Sequence, residues 1–162
     1  MEKIEYFYRE TNKHIRNVQM LLNEAANRLV SKGRLHDVTK FNDEEKDLFA
    51  EAVPELCKTA YGSDEYKRIL QRIKPATDHH NTHNRHHPEY FNNKIDTMTL
   101  MDLIEMVCDW CAAVKRNPDG DVIESIEINQ KRFGYSDELK SIMVHTACSM
   151  EYTMALFEEH EK

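Results

Sequence analysis

The segment Asp78–His79–His80–Asn81–Thr82–His83–Asn84–Arg85–His86–His87–Pro88–Glu89 holds five of the chain's nine histidines. Imidazoles one helical turn apart can both reach a single metal ion, and for that reason paired histidines at this step recur in zinc and iron sites. On a helix, His79, His83 and His86 would share one face, with His80, Asn84 and His87 on the adjacent one. Pro88 disfavours helical backbone at His87, so the cluster and its helix are expected to end together. The plain alternative is a solvated, histidine-rich surface turn. His36–Asp37 forms a second group: a neutral nitrogen beside an anionic oxygen, a good mix for a borderline divalent ion. A third is Asp109, set among apolar residues in Glu105–Met106–Val107–Cys108–Asp109–Trp110. A charge there is costly unless it is paired or bound to metal. His14 stands alone on the first helical stretch, one turn before Val18.

Helical periodicity supplies the elements that must position these groups. Ile4, Tyr8, Ile15, Val18, Leu22, Ala25 and Leu29 recur at helical steps, and Gly33 can end that helix in a left-handed conformation. Asn42 to Glu45 has capping-box spacing, opening a helix with Leu48, Phe49 and Ala52. Pro54 and Tyr61–Gly62–Ser63 punctuate the chain before a third helix, which begins near Asp64 and carries Tyr66, Ile69, Leu70 and Ile73. Pro75 predicts a kink or break. A loop around Phe91 to Asp96 leads to an apolar helix from about Thr97 to Arg116, closed by the turn Asn117–Pro118–Asp119–Gly120. Val122, Ile126 and Phe133 line the next helix, which Gly134 can terminate. Ser136, then Asp137 and Glu138, suits the start of a last helix: a cap followed by acids at the positive dipole end.

The chain has 162 residues, 40% of them hydrophobic and 31% charged, with formal net charge −7. That length suits a single domain, residues 1–162, with a core that needs no disulfide staples. Four glycines and four prolines are too few for the many turns of a sandwich or barrel. The expected architecture is an all-α, compact bundle of five to seven helices. No apolar run nears the roughly 20 residues of a membrane span, and the start does not read as a secretory signal. The location expected is cytoplasmic. The acidic balance disfavours extended nucleic-acid binding, although a local basic pocket survives that argument. Cys108 and Cys111 form a C-x-x-C within a helical stretch. With no second pair to complete a zinc tetrad, they read as two small core residues.

The order His14, His36–Asp37, histidine cluster, Asp109 resembles the HD superfamily of metal-dependent phosphohydrolases. His36–Asp37–Val38–Thr39–Lys40 looks like the doublet-plus-lysine segment of its dinuclear branch, and His86–His87–Pro88–Glu89 is similar to that branch's His-His-Glu segment, with Pro88 inserted. The run His80, Asn84, His86–His87, Glu89–Tyr90, Glu105–Met106 and Asp109–Trp110 also resembles an uncharacterised family of phages and bacteria, a domain of unknown function. For a phage-encoded protein the compartment would be the host cytoplasm. The likeness covers residues 10 to 116.

The resemblance implies metal-assisted hydrolysis of a small phosphate ester, such as a nucleotide. His14, His36, Asp37 and Asp109 would hold one divalent ion. His80 and one or two of His83, His86 and His87 would hold a second, with Asp37 as bridge. Whether one ion or two, and whether Mn, Fe, Co, Zn or Mg, stays open. Asp37, Lys40, His83, Asn84 and Glu89 are the catalytic candidates, and Lys40, Arg34 and Arg85 the cations for phosphate oxygens. Trp110 would fill the core behind Asp109. Two other readings are an HD-type di-iron oxygenase and a non-catalytic nucleotide-binding module. A homodimer is compatible with a helical enzyme of this size.

Overall fold

The computed structural model describes the backbone of residues 2–60, 63–116 and 120–160, and side chains as far as Met150. Among these residues the fold is all-α, with seven α-helices and no strand. The chain divides into two compact units, Met1–His36 and Asp37–Lys162. The first consists of one helix, α1 (Lys3–Leu35). It runs through Gly33 rather than ending there. The left-handed conformation expected at Gly33 falls instead to Asp37, at φ 59. Asp tolerates that region better than most side chains, because its short carboxylate can bond locally.

The second unit carries α2 (Lys46–Leu56), α3 (Asp64–Arg72), α4 (Lys74–His83), α5 (Leu100–Val114), α6 (Val122–Phe133) and α7 (Asp137–His160). Short 3₁₀ turns occupy Val38–Phe41, Pro88–Phe91 and Ile95–Thr97. Local chemistry accounts for most boundaries. Ser63 accepts from the Tyr66 N–H at 3.1 Å and opens α3. The break expected near Pro75 occurs at Ile73, and Pro75 sits in the first turn of α4, where its missing N–H costs nothing. Thr99 and Asp102 form a reciprocal capping box on α5. Asp121 caps α6, Gly134 ends it at φ 70, and Ser136 accepts from the Leu139 N–H to start α7.

Two expectations need correction. Asn42 and Glu45 do not form a capping box: α2 begins at Lys46, and its N-cap, Glu45, makes no side-chain cap. Pro54 does not stop α2, which runs on to Leu56. Tyr61, Gly62 and the turn residues Asn117–Pro118–Asp119 lie outside the described residues.

Apolar burial falls in two clusters. Ala52, Ile69 and Ile73 join α2 to α3, flanked by Leu48, Phe49 and Leu56. Ile95, Met106, Val107, Cys111, Val122, Ile126, Tyr135, Met143 and Ala147 knit α5, α6 and α7. The Tyr135 hydroxyl donates to the Ile126 carbonyl, and burial pushes its pKa up to about 12. Cys111 is buried while Cys57, Cys108 and Cys148 are exposed; all four are free thiols.

Candidate metal centre

α4 stops at His83, three residues before His86. Asn84 ends it by turning extended, at φ −113 and ψ 123. Its backbone N–H donates to the His80 carbonyl at 3.1 Å, and its side-chain amide donates to the same oxygen at 2.8 Å. The two helical faces expected from a continuous helix therefore do not form. His86 and His87 lie beyond the helix, in a turn that folds back on His80. His87 takes extended backbone (φ −103, ψ 131) before Pro88, as the proline requires.

This reversal sorts the five histidines. The rings of His80, His86 and His87 gather, with centroids 5.7 Å apart for His80–His86, 5.0 Å for His80–His87 and 4.2 Å for His86–His87. Each offers a ring nitrogen, and these nitrogens all lie within 4.8 Å of one another. His80 and His86 are buried. Asp37 joins them: its Oδ1 is 3.0 Å from His80 Nε2 and 3.5 Å from His86 Nε2. His79 and His83 are not part of this gathering; they stack on each other, ring centroids 3.9 Å apart.

Acids on neighbouring elements fix how the rings face. Glu45, fully buried at the start of α2, accepts from His80 Nδ1 at 2.9 Å and from His79 Nδ1 at 2.7 Å. Thr39 donates to the same carboxylate at 3.2 Å, and the Asn84 amide donates to Thr39 Oγ1 at 2.8 Å. Burial alone would raise the Glu45 pKa, but these donors outweigh it and hold the group below its usual value. With the His80 Nδ1 proton given to Glu45, the Nε2 lone pair points at Asp37. On the far side, Glu105 of α5 stands 3.3 Å from His86 Nδ1 and orients that ring in the same way.

His80 Nε2 and Asp37 Oδ1 stand 3.0 Å apart, a separation met by a proton on the imidazole when no metal is bound or by a shared cation when one is. His80 Nε2 and His87 Nε2 are both buried without a hydrogen-bond partner. Bonds of about 2.0–2.2 Å to a shared ion place neighbouring ligands about 3.0–3.5 Å apart, the separations found between Asp37 and the two imidazoles. Three imidazole nitrogens and a carboxylate oxygen suit zinc, iron, cobalt or manganese better than calcium. The residues present fit a divalent ion.

Electrostatics keep these groups in ligating form. Burial, and then the neighbouring His86 and His80, push His87 down to about pKa 3, so it is neutral at pH 7. For Asp37, burial raises the pKa, but His80, His86 and Lys40 together hold it well below the carboxylate range. Lys40 is ion-paired to the other Asp37 oxygen, Oδ2, and its ammonium lies 5.4 Å from the centre of the Phe49 ring. Asp109, half-buried one turn beyond Glu105 on α5, acts on His87 through its negative charge.

Other residues singled out from sequence lie elsewhere. Arg85 forks onto buried Asp102 through two bonds, at 3.2 and 3.0 Å, with its guanidinium over Tyr90 and Phe91. Glu89 accepts from Arg132 at 2.5 Å and from Asn81 at 3.3 Å. It lines a polar cleft with Asp78, Thr82, Asn93 and Phe133, on the side of α4 away from His80. His14, Arg34 and His36 belong to the first unit.

Glu45 is the residue that sequence reasoning missed. Its spacing from Asn42 suits a capping box, and nothing in Asn42–Asp43–Glu44–Glu45 marks which acid turns inward. Glu105 carried a faint signal, one helical turn before Asp109. No curated protein and no solved structure matches the chain. A match to residues 3–158, nearly the whole length, shows that the chain belongs to the Family of unknown function (DUF5662).

Proposed function

We propose that this protein is a metal-dependent hydrolase acting on a small phosphate ester, with a nucleotide as the first class to test. The observation that carries the metal site is the gathering of His80, His86 and His87, with Asp37 against the first two and each of those two rings backed by a carboxylate. Asp37, His80, His86 and His87 would hold the ion, with Asp109 nearby by charge. The resemblance adds His14 and His36 from the first unit, and that addition rests on motif order alone. Bound there, a divalent ion supplies a water acidic enough to act as nucleophile near neutral pH, and charge to polarise a phosphoryl oxygen.

The chain's own residues do the rest. Glu45 and Glu105 hold two imidazoles in the tautomer that leaves Nε2 available. Lys40 neutralises one oxygen of Asp37 and retains donors to turn toward a phosphate oxygen. Arg85, engaged with Asp102, acts as an anchor for the turn that carries His86 and His87.

The test is metal analysis coupled to a screen of nucleotide phosphate esters with Mn²⁺, Co²⁺, Mg²⁺ and Fe²⁺. Phosphate release is expected from the wild-type chain. Asp37→Ala is expected to lose both metal and turnover while keeping its helical circular dichroism. Wild-type turnover in that variant would overturn the reading. An iron-loaded chain without phosphatase activity would turn it toward oxidative chemistry.

A further inference from the structure

The first unit is one 33-residue helix, and a lone helix cannot bury its own apolar stripe. None of the α1 side chains is buried, and Tyr8, Ile15, Val18 and Leu22 are exposed. The stripe repeats every seven residues: Tyr8, Ile15, Leu22 and Leu29 form one line, and Ile4, Thr11, Val18 and Ala25 the other. A straight α-helix drifts about 20° per heptad against such a repeat. A seam kept in phase from Ile4 to Leu29 therefore suits a second helix wound around it, rather than an irregular surface. Arg9, Lys13, Arg16 and Glu24 lie on the opposite side and keep it wet.

We propose that α1 is an interface helix that pairs antiparallel with α1 of a second copy of this chain. Residue size sets the direction. Laid antiparallel, the two lines face each other: Tyr8 meets the partner's Ala25, Thr11 the partner's Leu22, Ile4 the partner's Leu29, and Ile15 the partner's Val18. Bulky Tyr8 and Leu22 each meet a small residue, so bulk is shared along the seam. On the flank Phe7 comes beside the partner's Arg28, a cation–aromatic match. A parallel pair would instead crowd Tyr8 on the partner's Tyr8, leave Ala25 facing the partner's Ala25, and set Lys32 against the partner's Lys32. Six large seam side chains with Phe7 and Leu21 beside them, at roughly 60–120 Å² each, give about 1,000–1,900 Å² between two copies, the size of a stable specific interface. The pairing is independent of any metal chemistry in the second unit.

Sedimentation equilibrium of the full chain tests this. Wild type is expected at twice the 19.2 kDa chain mass at micromolar concentration. Leu22→Lys is expected to weaken association about a hundredfold, because a charge then sits unpaired in the seam. A wild-type monomer would overturn the proposal, whether α1 then lies on the rest of its own chain or binds anionic vesicles. So would a dimer as tight in Leu22→Lys as in wild type. Direction is read from Tyr8→Lys and Ala25→Glu, positions about 25 Å apart along one helix that cannot pair within it. Each alone is expected to loosen the dimer. The double variant is expected to associate more tightly than either, since each new charge meets its opposite across the pair. A double variant weaker than both singles is the parallel outcome, and it would overturn the antiparallel pairing.

Discussion

Glu45 and His80, thirty-five positions apart, meet at 2.9 Å between a carboxylate oxygen and Nδ1. The carboxylate has no exposure to water, and its second oxygen is taken by His79 at 2.7 Å. Such a group is tolerable only because every side of it is met by a donor. The tie runs from the start of α2 to the middle of α4, so the packing of Phe49 and Ile73 and the direction of the His80 ring are set together.

Replacing Glu45 by Gln keeps volume but removes the charge that draws the proton to Nδ1. Affinity for a divalent ion is expected to fall about 10- to 100-fold. Calorimetry on the variant checks this. Unchanged affinity would mean that the His80 tautomer is set by the Thr39 hydroxyl, 3.0 Å from Nδ1, instead.

Arg85→Ala removes both guanidinium bonds from the Asp102 carboxylate, which is 1% exposed and keeps its capping contacts to Thr99. The expected loss is about 1–3 kcal/mol, the cost of a buried acceptor deprived of its partner. Lys at this position cannot fork onto both oxygens and should recover only part of it. Urea denaturation of the three chains measures the order. If instead Arg85→Ala left stability untouched while abolishing substrate binding, the residue would be a phosphate ligand rather than an anchor.

The metal-free protein is expected to lose stability as pH falls below about 6.5. His87 has a folded pKa of about 3 against an ordinary 6.5, so in that window the unfolded chain binds a proton that the folded one refuses. Asp37 and Glu45 are both held below their ordinary values, 3.8 and 4.5, and extend the loss to lower pH. Denaturation midpoints at pH 7.0, 5.5 and 4.5 should decline in order. His87→Phe should flatten the first step, and an unaltered slope in that variant would contradict the assignment.

Gly134→Ala tests the α6–α7 junction. The backbone there has φ 70, where a Cβ is strained, although nothing else stands within 4 Å. A loss of about 1 kcal/mol is expected from conformation alone. A thermal melt of the variant reads it.

The helix starts legible in the sequence rest on local chemistry: α3 begins at Asp64, Ser136 caps α7, and the break expected near Pro75 occurs at Ile73. The errors came where a long-range contact outranked a local one. Glu45 has the spacing of a cap, but two imidazoles from α4 claim its oxygens. Gly33 could have ended α1, yet Asp37 turns the chain. At the site, residue types alone identified the histidine cluster, while the division into His80, His86 and His87 inside and His79 and His83 outside was hidden. Helical phase assumed a helix as far as Pro88, and no sequence pattern shows that Asn84 stops it sooner.

That early stop makes the metal geometry depend on an amide rather than on any ligand. Were α4 to wind on for one more turn, His86 would ride about 9 Å along the axis from His80, too far for one ion to touch both. Asn84 prevents this by spending its own side chain on the carbonyl of His80 and on Thr39. Position 84 thus separates what a continuous rod would scatter, and the bend that begins there lets the imidazoles close on one another.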